Sequence, residues 1–257
     1  MNRGNPSGED HESVHVPSTD VADRSLAMQM DHYTADGKLW KPADGGRVRC
    51  HACAHRCLIA GGHRGICKVR FNQDGRLRVP FGYVAGLAAD PIEKKPLFHV
   101  LPGSVALTFG MLGCNFHCAY CQNWFSSQAL RDTESGGRIQ PITAKQMIEA
   151  GRRQGARAVV SSYNEPLITA EWAAAVFAEA KKEGLVCAMV SNGHGTPEVL
   201  EFLRPGLDAL KVDLKCFDEK QYRFLGGQLG AVLETIKGAP AQKIGKEFDQ
   251  GLRPRSP

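Results

Sequence analysis

The chain has 257 residues, 42% of them hydrophobic and 23% charged, with a net charge of +5. That is ordinary globular composition, long enough for one large α/β domain plus an appendage. The charge includes no long basic run and no apolar run reaches membrane-spanning length, so neither nucleic acid nor a membrane is expected as a partner. The N-terminus is polar and lacks the apolar core of a signal peptide, so the nine cysteines read as reduced, metal-binding thiols in a cytoplasmic protein rather than as disulfides.

In chain order, residues 1–40 read as a disordered tail, because their opening stretch has few large apolar groups to offset ordering entropy. His11, His15 and His32 are incidental there. Residues 41–103 form a Cys-rich module and linker. Cys50, Cys53, Cys57 and Cys67 are spaced C-x2-C-x3-C-x9-C, with Gly61, Gly62 and Gly65 for tight turns. Four thiols so placed read as a metal-closed knuckle, holding zinc or an auxiliary iron–sulfur cluster. The competing reading leaves some of them unliganded or redox-active. His51, His55 and His63 lie among them as surface or supporting groups, since four thiolates suffice. Asn72–Gly75 is a hairpin turn. The segment DPIEKKPLFHVLPGS (residues 90–104) reads as an extended linker packed on the next domain, and His99 within it as a solvent or packing group.

From Ser104 the pattern alternates strand and helix. Val105–Leu112 is an apolar run read as a buried strand. It delivers a loop, Gly113–Trp124, that carries Cys114, Cys118 and Cys121 as C-x3-C-x2-C. Thr143-x-x-Gln146 is a capping-box signature for a helix that Gly155 stops. Ala156–Tyr163 is the second strand. A helix capped by Thr169 and stopped by Gly184 follows. Leu185–Ser191 is the third strand, Thr196-Pro197 opens a short helix, Leu207–Lys215 is the fourth strand, and Asp218 opens another helix. This βα repetition predicts parallel strands. Each strand end carries special residues: the Cys loop, then Asn164-Glu165, Asn192-Gly193, and Asp213 with Lys215. Active sites in such folds are built at that rim. Cys187 reads as core, and Cys216 lies just past the fourth strand.

Three thiolates suit three irons of a four-iron cluster, leaving one iron open to chelate S-adenosylmethionine (SAM). A cluster of this kind feeds an electron into the sulfonium to release a 5′-deoxyadenosyl radical, while the protein aims the chemistry. The alternatives are a zinc knuckle, with His117 as fourth ligand, or unrelated thiols. C-x3-C-x2-C with Tyr120 before the last Cys resembles the radical SAM signature. More narrowly, the CQNW ending, the upstream Cys set and DPIEKKPL resemble the AmmeMemoRadiSam system radical SAM proteins, which are similar to pyruvate formate-lyase activating enzyme. The resemblance covers about Val48 to Leu225.

What the resemblance implies is a partial (β/α) barrel, its first four βα units at residues 104–237. Asn164-Glu165-Pro166 matches the place of a Gly-Gly-Glu motif, so Glu165 would accept from the SAM amino group, with Asn164 where the second Gly stands. Asn192 would lie near the methionyl end. Lys215 would pair with the SAM carboxylate, and Asp213 with its ammonium or ribose; an ordinary ion pair is the competing reading. The implied partners are SAM, an electron donor such as flavodoxin or ferredoxin, and a substrate that is a glycyl residue of a protein, a small molecule or a peptide. Residues 238–257 read as an irregular tail where the family continues with further βα units, on the order of 60 residues at ~30 per unit. The chain therefore reads as C-terminally shortened, and a metal-binding fragment unable to turn over is the alternative to an enzyme.

Overall fold

A computed structural model describes residues 26–132 and 137–238. The expected tails at 1–25 and 239–257 lie outside the described residues. The N-terminal module is α1 (Leu26–His32), β1 (Thr34–Asp36), β2 (Trp40–Ala43), β3 (Arg47–Cys50), β4 (Leu58–Ile59), β5 (Phe71–Gln73), β6 (Arg76–Pro80) and β7 (Tyr83–Val84). It contains two small antiparallel sheets, ordered β1-β6-β5 and β2-β3-β4. The β5–β6 hairpin turns on Asp74 (φ 52°) and Gly75 (φ 79°), the two left-handed positions of a type I′ turn. Residues 26–40 are not the expected tail. Met30 and Leu39 are buried in the main core, and that apolar surface orders the segment.

The main sheet collects β8 (Gly86–Pro91), β9 (Val105–Gly110), β11 (Ala156–Ser161), β12 (Val186–Ser191) and β13 (Ala209–Val212) in the order β13-β12-β11-β9-β8. Strands β9, β11, β12 and β13 run parallel, and β8 runs antiparallel to β9. A short β10 (Gln140–Pro141) pairs with β7. The helices are α2 (Trp124–Ser127), α3 (Ala144–Arg153), α4 (Ala170–Lys182), α5 (Pro197–Leu203), α6 (Glu219–Leu225) and α7 (Leu229–Gly238). This is the predicted α/β class with its four βα units.

Local chemistry sets the helix ends. The Gln146 N–H donates to Thr143 Oγ1 at 3.2 Å and the Thr143 N–H to Gln146 Oε1 at 3.0 Å, the expected capping box. Asp218 and Thr196 cap α6 and α5 as their spacing predicts. Thr169 does not cap α4. A 3₁₀ turn over Pro166–Thr169 precedes that helix, and the Thr169 hydroxyl donates back to the Pro166 carbonyl.

The two faces of the sheet are covered differently. Leu107, Phe109, Val159, Cys187 and Met189 pack with α3 and α4 in the main core. Ala106, Ala158, Val160 and Ala188 face the other way and meet Ile92, Leu97 and Val100. The 90–104 segment is therefore no simple linker. It supplies the end of β8 and then folds beneath the sheet, where each buried Ile, Leu or Val stabilises by about 1.5–3 kcal/mol.

Candidate active site

The loop after β9 begins at Gly113, whose φ of +93° favours glycine, and a Cβ there would stand 2.5 Å from Val69 Cγ1. Glycine thus lets the Cys loop turn tightly against the N-terminal module. Cys114, Cys118 and Cys121 all line one cavity of about 310 Å³ with Phe116, Tyr120, Ser162, Tyr163, Asn164, Glu165, Val190, Ser191, Asn192, Asp213 and Lys215. The residues at the ends of β9, β11, β12 and β13 thus meet where the sequence places them.

Several of these groups also hold the loops together. Glu165 is buried. Its Oε1 accepts from the Ser191 hydroxyl (2.7 Å) and the Leu167 N–H (3.0 Å), and its Oε2 from the Asn192 N–H (2.7 Å). Burial pushes its carboxyl up to about 7, against the pull of those donors. Asn164 Oδ1 accepts from the Met111 N–H at 2.9 Å, tying the end of β11 to that of β9. Asn192 Nδ2 donates to Asn115 Oδ1 at 2.8 Å and lies 4.0 Å from Cys114 Sγ. Lys215 Nζ is 2.8 Å from Asp213 Oδ2, and Lys211 binds the other carboxylate oxygen. Tyr120 is exposed at the cavity mouth. His99 is exposed and not among the cavity walls.

The thiols fit an iron–sulfur group by their chemistry. The Phe116 N–H donates to Cys114 Sγ at 3.3 Å, a contact that favours a thiolate. Asn115 Nδ2, buried beside that sulfur, has no partner among the described residues. Burial first, and the Glu165 charge second, push the Cys114 thiol up to about 12, so it stays protonated until a cation draws the proton off. Among the described residues no three His, Cys, Asp or Glu side chains form a group that would hold a single ion.

Cys50, Cys53 and Cys67 are buried and Cys57 half-buried. Burial raises the Cys53, Cys57 and Cys67 thiols, and neighbouring sulfurs raise them further. Their module also grips the site. His55 Nε2 lies 3.1 Å from the Asn115 carbonyl, the Ala54 N–H donates to the His194 carbonyl, and Arg56 forms a fork with Glu198. Sequence reasoning passed over Asn115, Ser191 and Tyr163. Only Tyr163, a bulky residue directly before Asn164, carried a local signal.

Parallel strands with a thiol-bearing loop and charged groups at their C-terminal ends define an α/β enzyme class built around a bound cofactor. The chain belongs to the Radical SAM superfamily, whose pattern matches residues 109–245, more than half of its length. That family brings SAM and a four-iron cluster as implied cofactors and supports SAM-cleaving radical chemistry. The chain is 34% identical over 211 residues to the uncharacterized protein MJ0808 of Methanocaldococcus jannaschii, covering 82% of this chain and 61% of that protein's length. It is 30% identical over 99 residues to the uncharacterized protein MJ0674 of the same organism, covering 38% of this chain and 25% of that one. The crystal structure of QueE from Escherichia coli aligns with a TM-score of 0.37 and 14% identity over 68% of this chain and 79% of that one, too distant a likeness to carry an argument.

Proposed function

We propose that this chain holds a four-iron cluster on Cys114, Cys118 and Cys121, binds SAM beside it and cleaves SAM reductively, so that a hydrogen atom is abstracted from a substrate. The observation that carries this reading is the single cavity shared by three thiols, the Glu165 carboxyl and the Asp213–Lys215 pair. The bound cluster supplies the electron. The chain's residues do the positioning: Lys215 offers its ammonium to the SAM carboxylate, Asp213 and Glu165 offer oxygens to its amino group or ribose, Asn192 fixes the Cys loop through Asn115, and Phe116 and Val190 form apolar walls that limit water. Tyr120 shields the mouth.

The finer assignment, to proteins like those of the AmmeMemoRadiSam system, is supported by DPIEKKPL, CQNW and the upstream cysteines. A glycyl residue of a protein, a small molecule or a peptide are the substrate classes of this reading, with a flavodoxin- or ferredoxin-type donor in the cytoplasm. A structural metal on Cys50, Cys53, Cys57 and Cys67, zinc or a second cluster, belongs to the same proposal. It is supported by their shared burial and mutual electrostatic influence. Metal analysis of a variant with all three loop cysteines replaced by alanine isolates that site.

Anaerobic reconstitution with iron and sulfide, followed by paramagnetic resonance with and without SAM, tests the main reading. A reduced four-iron signal that changes on adding SAM, with 5′-deoxyadenosine formed under a chemical reductant, is the expected result. A cluster indifferent to SAM would instead identify a metal-binding fragment. Survival of the SAM-responsive signal in the triple Cys→Ala variant would overturn the ligand assignment.

A further inference from the structure

Tyr163 stands out among the cavity walls. Its φ is +71°, a left-handed conformation that a bulky aromatic residue rarely adopts. The neighbouring strands make room for it. A Cβ added to Gly110 would stand 2.8 Å from Tyr163 Cβ and 2.9 Å from its Cδ2, and one on Gly86 would stand 3.5 Å from Cδ2. The ring thus lies across the ends of β9 and β8, where two glycines leave the space it needs.

Beneath it sits Lys95, from the DPIEKKPL segment that folds under the sheet. Lys95 is buried, anchored by Ile92 and Leu97 in the same apolar cluster. Its Nζ lies 3.1 Å from Tyr163 Oη and 4.7 Å from the ring centroid, combining a hydrogen bond with a cation–π contact. Asp90 Oδ2, 3.5 Å away, holds the ammonium from the other side. Because the lysine donates to the phenol oxygen, the phenol O–H is left to donate elsewhere. Tyr163 is only partly buried, and it lines the cavity beside Ser162 and Asn164.

The cavity, about 310 Å³, is at the small end of the roughly 300–1,000 Å³ of small-molecule sites. Tyr163 shares it with Glu165, Asp213 and Lys215, the groups assigned above to SAM. We propose that Tyr163 is a specificity-determining wall for SAM: Lys95 seats the ring from below, and the phenol hydroxyl donates a hydrogen bond to an acceptor atom of the bound SAM. The DPIEKKPL segment then has a role in the site, as the support of that wall. Tyr163 contacts the ligand, and Lys95 is a positioning residue acting through it. This inference rests on the SAM-binding reading above.

The test uses the full chain, reconstituted with its cluster, and SAM as the probe. Equilibrium dialysis gives the SAM dissociation constant, paramagnetic resonance the SAM-dependent change in the cluster signal, and calorimetry the thermal midpoint without SAM. Tyr163→Phe removes the donor and keeps the ring, and should weaken SAM binding roughly tenfold, the worth of one hydrogen bond. Lys95→Met should weaken it by a similar factor, and the double variant by no more than either alone, because both act through one hydroxyl. Tyr163→Gly, which accepts the left-handed backbone but removes the ring, should weaken binding further. Unchanged SAM affinity and an unchanged resonance response in Tyr163→Phe overturn the inference. A parent protein that loads a cluster but binds no SAM overturns the functional reading itself. Should Lys95→Met fail to load a cluster, Tyr163→Phe decides alone.

Discussion

Glu165 serves the fold before it serves any ligand. Three protein donors already saturate much of its carboxyl. Glu165→Gln puts an amide N–H where one of those donors points, and an unmatched buried group costs about 1–3 kcal/mol. The variant should still assemble a cluster but melt several degrees lower, at roughly 2–4 °C per kcal/mol. Full loss of the iron–sulfur absorption would show that the carboxyl is needed to form the loop at all. His194 presents the converse case. It is fully buried between His55 and Phe116, and neither ring nitrogen has a partner among the described residues. Burial, with a smaller contribution from His55, lowers it to about 3. The fold therefore holds it neutral while the unfolded chain takes up a proton below about pH 6.5, so its contribution is present above that pH and is lost as pH falls towards 3. His194→Leu should match or exceed the parent's stability at pH 8 and flatten its acid limb in a denaturant series. An unaltered acid limb would show that other groups set it.

Among the elements, the joint between the N-terminal module and α4 is the most exacting. Arg70 and Glu171 are both buried and meet through two 2.7 Å contacts. Arg70 also donates to the Ile168 carbonyl, and Glu171 accepts from the Lys38 and Leu39 N–H groups. Removing one partner of a buried pair strands the other charge, at about 3–5 kcal/mol. Arg70→Met should therefore release residues 26–84 to limited proteolysis while the parallel sheet resists, and Arg70→Met with Glu171→Leu should recover much of the loss. Desolvation works to raise the Glu171 carboxyl, but the Arg70 guanidinium prevails and holds it below its ordinary value. Its stabilisation is present above the unfolded carboxylate pKa of about 4.3 and disappears as pH falls through the lower folded value. This joint was invisible in the sequence, because 101 residues separate its partners and nothing local announces the pair. The caps at Thr143, Thr196 and Asp218, the glycine stops at Gly155 and Gly184, and the polar strand ends were legible, because each is written within a few residues. Thr169 misled because Pro166 starts a 3₁₀ turn ahead of the helix it seemed to cap. Lys95 and Tyr163, 68 residues apart, could be joined only in three dimensions.

Across the whole molecule, the parallel sheet is the frame and the loops at one end of it line the proposed site. Ligands that bind only the folded chain stabilise it by mass action, about 2.7 kcal/mol at one hundred times Kd. For a chain of this size that is on the order of 5–10 °C. SAM should raise the melting temperature of the cluster-loaded protein by that amount and leave the cluster-free protein little changed. An equal shift in both would place SAM binding away from the cluster loop. The Arg70–Glu171 joint also has a meaning in time. On a ribosome adding roughly 5–20 residues per second, Glu171 emerges about 5–20 seconds after Arg70. During that interval Cys50, Cys53, Cys57 and Cys67 have been made, but the helix that will cover their module has not. Nascent chains thus pass through a window in which those thiols meet the surrounding redox chemistry. A reducing environment during synthesis should therefore keep Cys50, Cys53, Cys57 and Cys67 as free thiols until the module closes over them.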